Sequence, residues 1–147
     1  MTDLSCPLCS ALGGVLVFQA EKLRVIRAEE VGFPAFYRVI WAAHVAEFSD
    51  LQAVDRSLCM AAVCAVEETL REQLQPTKIN LAALGNMVPH LHWHVIARFE
   101  RDSHFPSPVW GAAQRPVDAT AIASIEERLG DVDAAMQSRL AVMFLTL

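Results

Sequence analysis

The chain has no cluster of lysine and arginine. Its 12 basic residues are outnumbered by 17 acidic ones, for a formal charge of -5. Non-specific binding to a nucleic-acid polymer needs a basic patch that displaces counterions, so that class of partner is set aside. A phosphorylated small molecule is not excluded, because backbone amides and histidines can cradle phosphate locally. Long apolar runs are missing too: none reaches the roughly 20 residues that cross a bilayer. Met1-Thr2-Asp3-Leu4-Ser5 carries neither the charged nor the apolar part of a signal peptide, and the expectation is a cytoplasmic protein. Four cysteines in 147 residues are too few for a disulfide scaffold. In a reducing compartment Cys6-Pro7-Leu8-Cys9 reads as a metal half-site or a redox pair. A redox pair of the thioredoxin type sits between a strand and a helix, whereas this one precedes the first strand. Linkers, low-complexity tracts and internal repeats are also absent.

What is present describes one domain over 1–147, with 54% hydrophobic and 20% charged residues. Val15–Phe18 and Leu23–Ile26 read as strands of a hairpin around Gln19-Ala20-Glu21-Lys22. Phe36–Trp41 is a third strand, after a turn at Gly32-Phe33-Pro34. Ser49 with Gln52 forms a capping box for a helix whose Leu51, Val54, Leu58, Ala61, Ala65 and Val66 recur at helical spacing. Glu67, Glu68, Arg71 and Glu72 cover its solvent side, and Pro76 ends it. Cys59 and Cys64, inside this helix, read as small buried apolar residues. Lys78–Leu84 is a fourth strand, broken by Gly85-Asn86. Pro89 leads into a fifth, from His90 to about Phe99. Ser103 to Arg115 is an irregular loop. Asp118–Leu129 and Asp131–Leu145 are helices, with Gly130 as the C-cap between them. Strands, a helix, strands and then helices make an α+β fold. An antiparallel sheet of about five strands carries the long helix, with a core over about 15–110 and a helical extension over about 117–147.

The chemistry concentrates in His90-Leu91-His92-Trp93-His94-Val95-Ile96. Three of the five histidines occupy alternate positions. On a strand, alternate side chains share a face, so the three imidazoles line up while Leu91, Trp93 and Val95 turn to the core. Three readings compete. The histidines can be merely exposed strand residues. They can be a zinc site, although three alternate Cα atoms span roughly 13 Å and converging them on one ion strains the strand. Or His92 is a nucleophile, neutral at the attacking nitrogen, with His90 and His94 assisting on either side; that row suits phosphoryl or nucleotidyl transfer.

This segment resembles the signature of the histidine triad (HIT) family. The resemblance covers roughly Leu23 to Phe99. It includes Val39-Ile40 leading to His44 and Val45, the helix, Lys78-Ile79-Asn80, and Gly85-Asn86-Met87-Val88 before the triad. It implies a homodimeric α+β protein that binds nucleotides. The implied chemistry is hydrolysis of dinucleoside polyphosphates or nucleotide phosphoramidates, or transfer of a nucleoside monophosphate. His92 would form a nucleotidyl-histidine at the α-phosphate, His94 would contact the phosphate and leaving-group side, and His90 would orient the central ring. Asn80 matches a family polar residue near the phosphate. Asn86 stands where the family usually has glutamine, Met87 where many members have serine or threonine, and Trp41 in place of a common proline. Other functions on the same fold are a non-catalytic nucleotide-sensing module and a metal-centred enzyme using the histidines as ligands.

No cofactor is needed for the triad chemistry, but the cysteine pair has a second possible partner set. A zinc site needs two more ligands, and His44, following a strand, is a candidate. Some HIT-related proteins resemble a site built from paired cysteines, an upstream histidine and the first triad histidine. That resemblance implies Cys6, Cys9, His44 and His90 around a structural zinc. Arg98 could reach a phosphate, where a planar guanidinium is favoured, or could be a surface strand residue. Phe105 and Trp110 could cover the nucleotide or join a dimer contact, with His104 at the site rim or in solvent. Ile26 and Phe33 are candidates for the base and ribose cleft. The apolar Ala141–Leu147 end is expected to dock on the sheet or a partner.

Overall fold

Phe36–Trp41 alternates between two destinations, and that alternation sets the layering. In the computed structural model, which describes residues 2–146, Tyr37, Val39 and Trp41 face one core cluster while Phe36 and Ile40 face another. The sheet is antiparallel throughout. Strands β1 (Val15–Gln19), β2 (Leu23–Arg27), β3 (Phe36–Trp41), β4 (Lys78–Ala82) and β5 (His92–Arg98) lie in the order β1-β2-β3-β5-β4. β5 therefore sits inside the sheet, between β3 and β4, and is buried at nearly every position. The expected α+β architecture of five antiparallel strands with helices is the architecture observed.

Helices cover one face. α2 (Ala53–Leu74) and α4 (Leu129–Leu145) pack on each other and on the sheet. Val63, Val66 and Leu70 of α2 meet Val132, Met136 and Leu140 of α4 in the larger cluster. Each such side chain contributes about 1.5–3 kcal/mol through burial. A polar tie fixes α4: the Tyr37 hydroxyl donates to Asp133 Oδ1 over 2.6 Å, and Arg27 Nε lies 3.1 Å from Asp133 Oδ2. Burial, then the Asp133 carboxylate, holds the Tyr37 phenol protonated well above its usual range. α3 (Ala119–Glu126) precedes α4, its Asp118 side chain accepting from the Ala121 amide. On the other face lie the N-terminal turn α1 (Pro7–Ser10) and the 103–115 loop.

Several boundaries differ from the expectation. The capping box is Glu47 with Asp50, on a 3₁₀ turn over Phe48–Asp50; Leu51 then stays extended, so α2 starts only after Gln52. Its inward stripe is Cys59, Ala62, Val63, Val66 and Leu70, which leaves Val54, Ala61 and Cys64 exposed. Apolar residues surround most of this helix, so periodicity alone could not choose the face. Cys64 is thus not a core residue, although Cys59 is. α2 ends as Pro76 requires, with Gln75 left-handed at φ 50°. Gly130 is no C-cap. It lies in the first turn of α4, and the break falls at Glu127–Arg128, where the Arg128 side chain donates to the Gln73 carbonyl. At the C-terminal end Phe144 docks on Phe18, ring centroids 5.2 Å apart, while Val142 and Leu145 stay exposed; Leu147 lies outside the described residues. Among the described residues no helix is long and apolar enough to cross a membrane.

Candidate functional site

His90 leaves the row. β5 begins at His92, because the His90 amide bonds back to the Val88 carbonyl and the Leu91 amide to the Val45 carbonyl. The chain bends there, and the His90 ring turns away from the other two. Buried at 1% exposure, it has its Nε2 2.6 Å from the Trp41 carbonyl, which can only accept, so Nε2 carries the proton and Nδ1 the lone pair. That lone pair faces Cys6 Sγ at 3.6 Å, Cys9 Sγ at 3.5 Å and His44 Nδ1 at 3.3 Å. Cys9 Sγ is 3.4 Å from His44 Nδ1, and all four donor atoms lie within 4.8 Å of one another.

A tetrahedral ion with ~2.0 Å bonds to nitrogen and ~2.3 Å bonds to sulfur puts its ligands about 3.3 Å (N to N) and about 3.5 Å (N to S) apart. The donor set, two thiols and two imidazoles, therefore fits zinc in spacing and in chemistry. Supporting bonds hold it: Arg24 donates to the carbonyls of Leu8, Ala11 and Leu12, fastening the cysteine turn to β2. The Trp41 carbonyl fixes the His90 tautomer, as outer-shell partners of metal-binding imidazoles do.

His92 and His94 stay on the strand, on one face, with ring centroids 4.9 Å apart. The His92 Nδ1–H donates to the His90 carbonyl over 2.6 Å, so Nε2 is left unprotonated. Burial holds the ring neutral by lowering its pKa; the carbonyl bond opposes this, and Arg38 adds to it. His92 lines a cleft of about 240 Å³ with Gly85, Leu84, Glu47 and Phe48. For His94, burial first, then His92 and Arg38, lowers the pKa to about 3. Its Nδ1 accepts from Arg38 Nε–H at 3.4 Å. Phe36 and Trp110 meet its ring edge-on, at 5.4 and 5.0 Å. The triad does not converge on one ion: His90 faces the cysteines, while the Nδ1 atoms of His92 and His94 are taken by a carbonyl and a guanidinium. A metal centre made of the three histidines is therefore corrected.

Arg98 is neither a surface residue nor open to a phosphate. It is 2% exposed and is held by both Asp102 oxygens, Asn80 Oδ1 and the Ser107 carbonyl. Burial opposes ionisation of Asp102, but Arg98 and the amides of His104 and Phe105 keep its pKa below the usual carboxylate range. Asn80 thus points its oxygen at Arg98. Asn86 and Met87 are exposed between β4 and His90, and the Asn86 side chain has no hydrogen bond among the described residues. His104 packs on Phe33 and shares a hydrogen bond with Ser103, and Phe105 lies by Arg98; Trp110 is the loop aromatic at the histidines. Ile26 and Phe33 both belong to the smaller core cluster; Ile26 is fully covered, whereas Phe33 also borders a cavity of about 600 Å³ with Phe99 and Asp102.

Arg38 was not among the expected site residues. Its signal was a lone charge inside an apolar strand, at the alternate position between Phe36 and Ile40.

A model of the HIT domain matches residues 12–101. The chain belongs to the HIT domain family. Among solved structures it is similar to a histidine triad protein from Marinobacter aquaeolei, with 29% identity, TM-score 0.68, and coverage of 88% of this chain and 90% of that one. A histidine triad protein from Bradyrhizobium japonicum is 28% identical, with TM-score 0.66 and coverage of 85% and 89%. A zinc-bound histidine triad family protein from Mycobacterium smegmatis shares the fold at 19% identity, with TM-score 0.60 and coverage of 98% and 99%. No curated protein matches the chain. Within the HIT domain, β5 supplies His92 and His94, and the segment before it supplies His90.

Proposed function

We propose that this HIT-domain protein is a nucleotide hydrolase or nucleotidyl transferase that works through His92. The carrying observation is the 2.6 Å bond from His92 Nδ1 to the His90 carbonyl, which leaves Nε2 with its lone pair. Nε2 attacks the α-phosphorus of a dinucleoside polyphosphate or nucleotide phosphoramidate. A nitrogen–phosphorus bond forms, and the bond to the leaving group breaks with its electron pair. Water or a second acceptor then takes the nucleotidyl group and frees the imidazole. His94 donates a hydrogen bond to phosphate, and the exposed side-chain amide of Asn86 is a further donor.

Cys6, Cys9, His44 and His90 hold a structural zinc in this reading. All four positions are protein ligands, so none is open to substrate. Reduced thiols suit the cytoplasm. The assembly is a homodimer in this reading, and Leu81 on β4 with Leu84 just beyond it are exposed apolar side chains that such a contact would cover. The indole N–H of Trp93, buried without a partner among the described residues, is in the same region.

The test is to mix the protein with an activated nucleotide, quench in alkali, and look by mass spectrometry for a nucleotidyl adduct on the peptide containing His92. An adduct in the wild type that vanishes in His92→Asn is expected. A protein that binds nucleotide yet forms no adduct is a sensing module, and the enzymatic reading fails.

A further inference from the structure

Arg38 and His94 face each other across β3 and β5 as register partners. Arg38 Nε–H points at His94 Nδ1 from 3.4 Å; behind it, Glu30 Oε1 binds Nη2 at 3.0 Å, and the Phe36 ring lies under the guanidinium at 5.3 Å. We propose that Arg38 locks His94 as a hydrogen-bond donor at Nε2 that neither gives nor takes a proton, and that this makes the site selective for leaving groups that depart as anions, the phosphoric anhydrides, over amines held by P–N bonds. This rests on the His92 reading above and names its substrate class.

The argument is one of proton placement. A guanidinium has donors only and stays charged throughout the accessible pH range. An imidazole nitrogen facing it must accept, so the single proton of the neutral ring sits on Nε2. Losing that proton would leave an imidazolate. Gaining a second would put N–H against N–H beside a permanent cation. The depressed basicity of His94 agrees with this. The other groups around the ring add no acid: Phe36 from β3, Ala82 as register partner on β4, Trp110 from the loop, and His92 on its own strand. His92, forming the new bond through Nε2 and holding its other proton on the His90 carbonyl, is also unable to supply one.

Leaving groups differ in what they need. When His92 attacks an anhydride, the P–O bond breaks and both electrons go to oxygen. The product is a phosphate anion, stable without a proton, and a hydrogen bond from His94 Nε2–H is enough. When the P–N bond of an amidate breaks, both electrons go to nitrogen. The amine leaves only if that nitrogen has first taken a proton, and neither His94 nor His92 is placed to supply it.

Two measurements decide the matter separately. Ring ¹⁵N–¹H correlation spectra of the wild type are expected to show His94 protonated at Nε2 alone, unchanged from neutral pH down to about pH 5. In Arg38→Met the ring is expected to gain basicity and to be protonatable at Nδ1, although burial and His92 still hold its pKa below the ordinary histidine range. The ratio of kcat/KM for a dinucleoside tetraphosphate to that for a nucleoside 5′-phosphoramidate with an alkylamine leaving group is expected to favour the anhydride in the wild type. In Arg38→Met it should move toward the amidate by ~10-fold or more, as a newly available acid would give. Arg38→Lys keeps charge and donor, should keep most of the preference, and serves if the methionine variant folds poorly. A wild-type His94 protonated at Nδ1, or a ratio unmoved by Arg38→Met, overturns the proposal. So does a wild type that prefers the amidate. If His92 forms no adduct the catalytic reading falls and the selectivity with it, while the spectra still report whether the lock exists.

Discussion

The carbonyl oxygen of His90 accepts from His92 Nδ1 at 2.6 Å, while the ring of the same His90 faces Cys6 and Cys9. One residue thus belongs both to the cysteine–histidine cluster and to the support of the proposed nucleophile. The backbone does the orienting that the family resemblance assigned to the ring.

Replacing His92 by Asn or Ala removes the attacking nitrogen but little packing. Turnover is expected to fall by several orders of magnitude. Circular dichroism and nucleotide affinity should stay near wild type. Unchanged steady-state turnover in either variant would refute the role.

Zinc content follows the four donors. The purified wild type, prepared without chelator, is expected to carry about one zinc per chain, and Cys6→Ser much less. Losing the ion should lower Tm by ~5 °C or more, since anything bound to the native state alone stabilises it. His90→Ala should lose the metal and also lower kcat by ~10–100-fold, the range seen when support around such a site is removed. Elemental analysis and steady-state kinetics on one preparation check both, and a metal-free wild type would count against the site.

Asp102 neutralises a guanidinium that has no access to water. Asp102→Ala leaves Arg98 charged and uncompensated, and is expected to cost about 3–5 kcal/mol in urea unfolding. Tyr37→Phe removes only the hydroxyl donated to Asp133, for about 1–2 kcal/mol. A loss under 1 kcal/mol for Asp102→Ala would contradict the assigned burial.

His94 predicts acid sensitivity. Its pKa falls from the ordinary 6.5 to about 3 on folding. Below pH 6.5 the unfolded chain takes up a proton that the native ring refuses. The stability from this ring is therefore complete above pH 6.5 and is lost progressively as pH drops toward 3. Urea midpoints measured across that window should decline, and His94→Leu should flatten part of the slope.

The sequence carried much of this in its periodicities. β1, β2 and β3 were legible within a residue or so, because alternation and turn residues bounded them. The triad histidines were legible as residue types, the Cys6, Cys9, His44, His90 set only through the family resemblance, and the structure brings those four donors together. What periodicity could not carry was direction. Nothing local told that His90 bends out of the strand, since the cause is a pair of backbone bonds to Val88 and Val45. Arg98 looked available because its buried partner, Asp102, lies four residues on in a loop. Arg38 gained meaning only when β3 was laid against β5. The helix face was misjudged because Val54 and Ala61 are as apolar as the residues that do turn inward.

Trp110 offers a practical consequence. It is 52% exposed, whereas Trp41 is at 4% and Trp93 is largely covered. Its ring centroid lies 5.0 Å from that of His94. Emission from this chain on the red side of its spectrum therefore comes chiefly from the indole beside the histidine strand. A stopped-flow trace of that fluorescence would time the arrival of a base or phosphate at the histidines with no label attached.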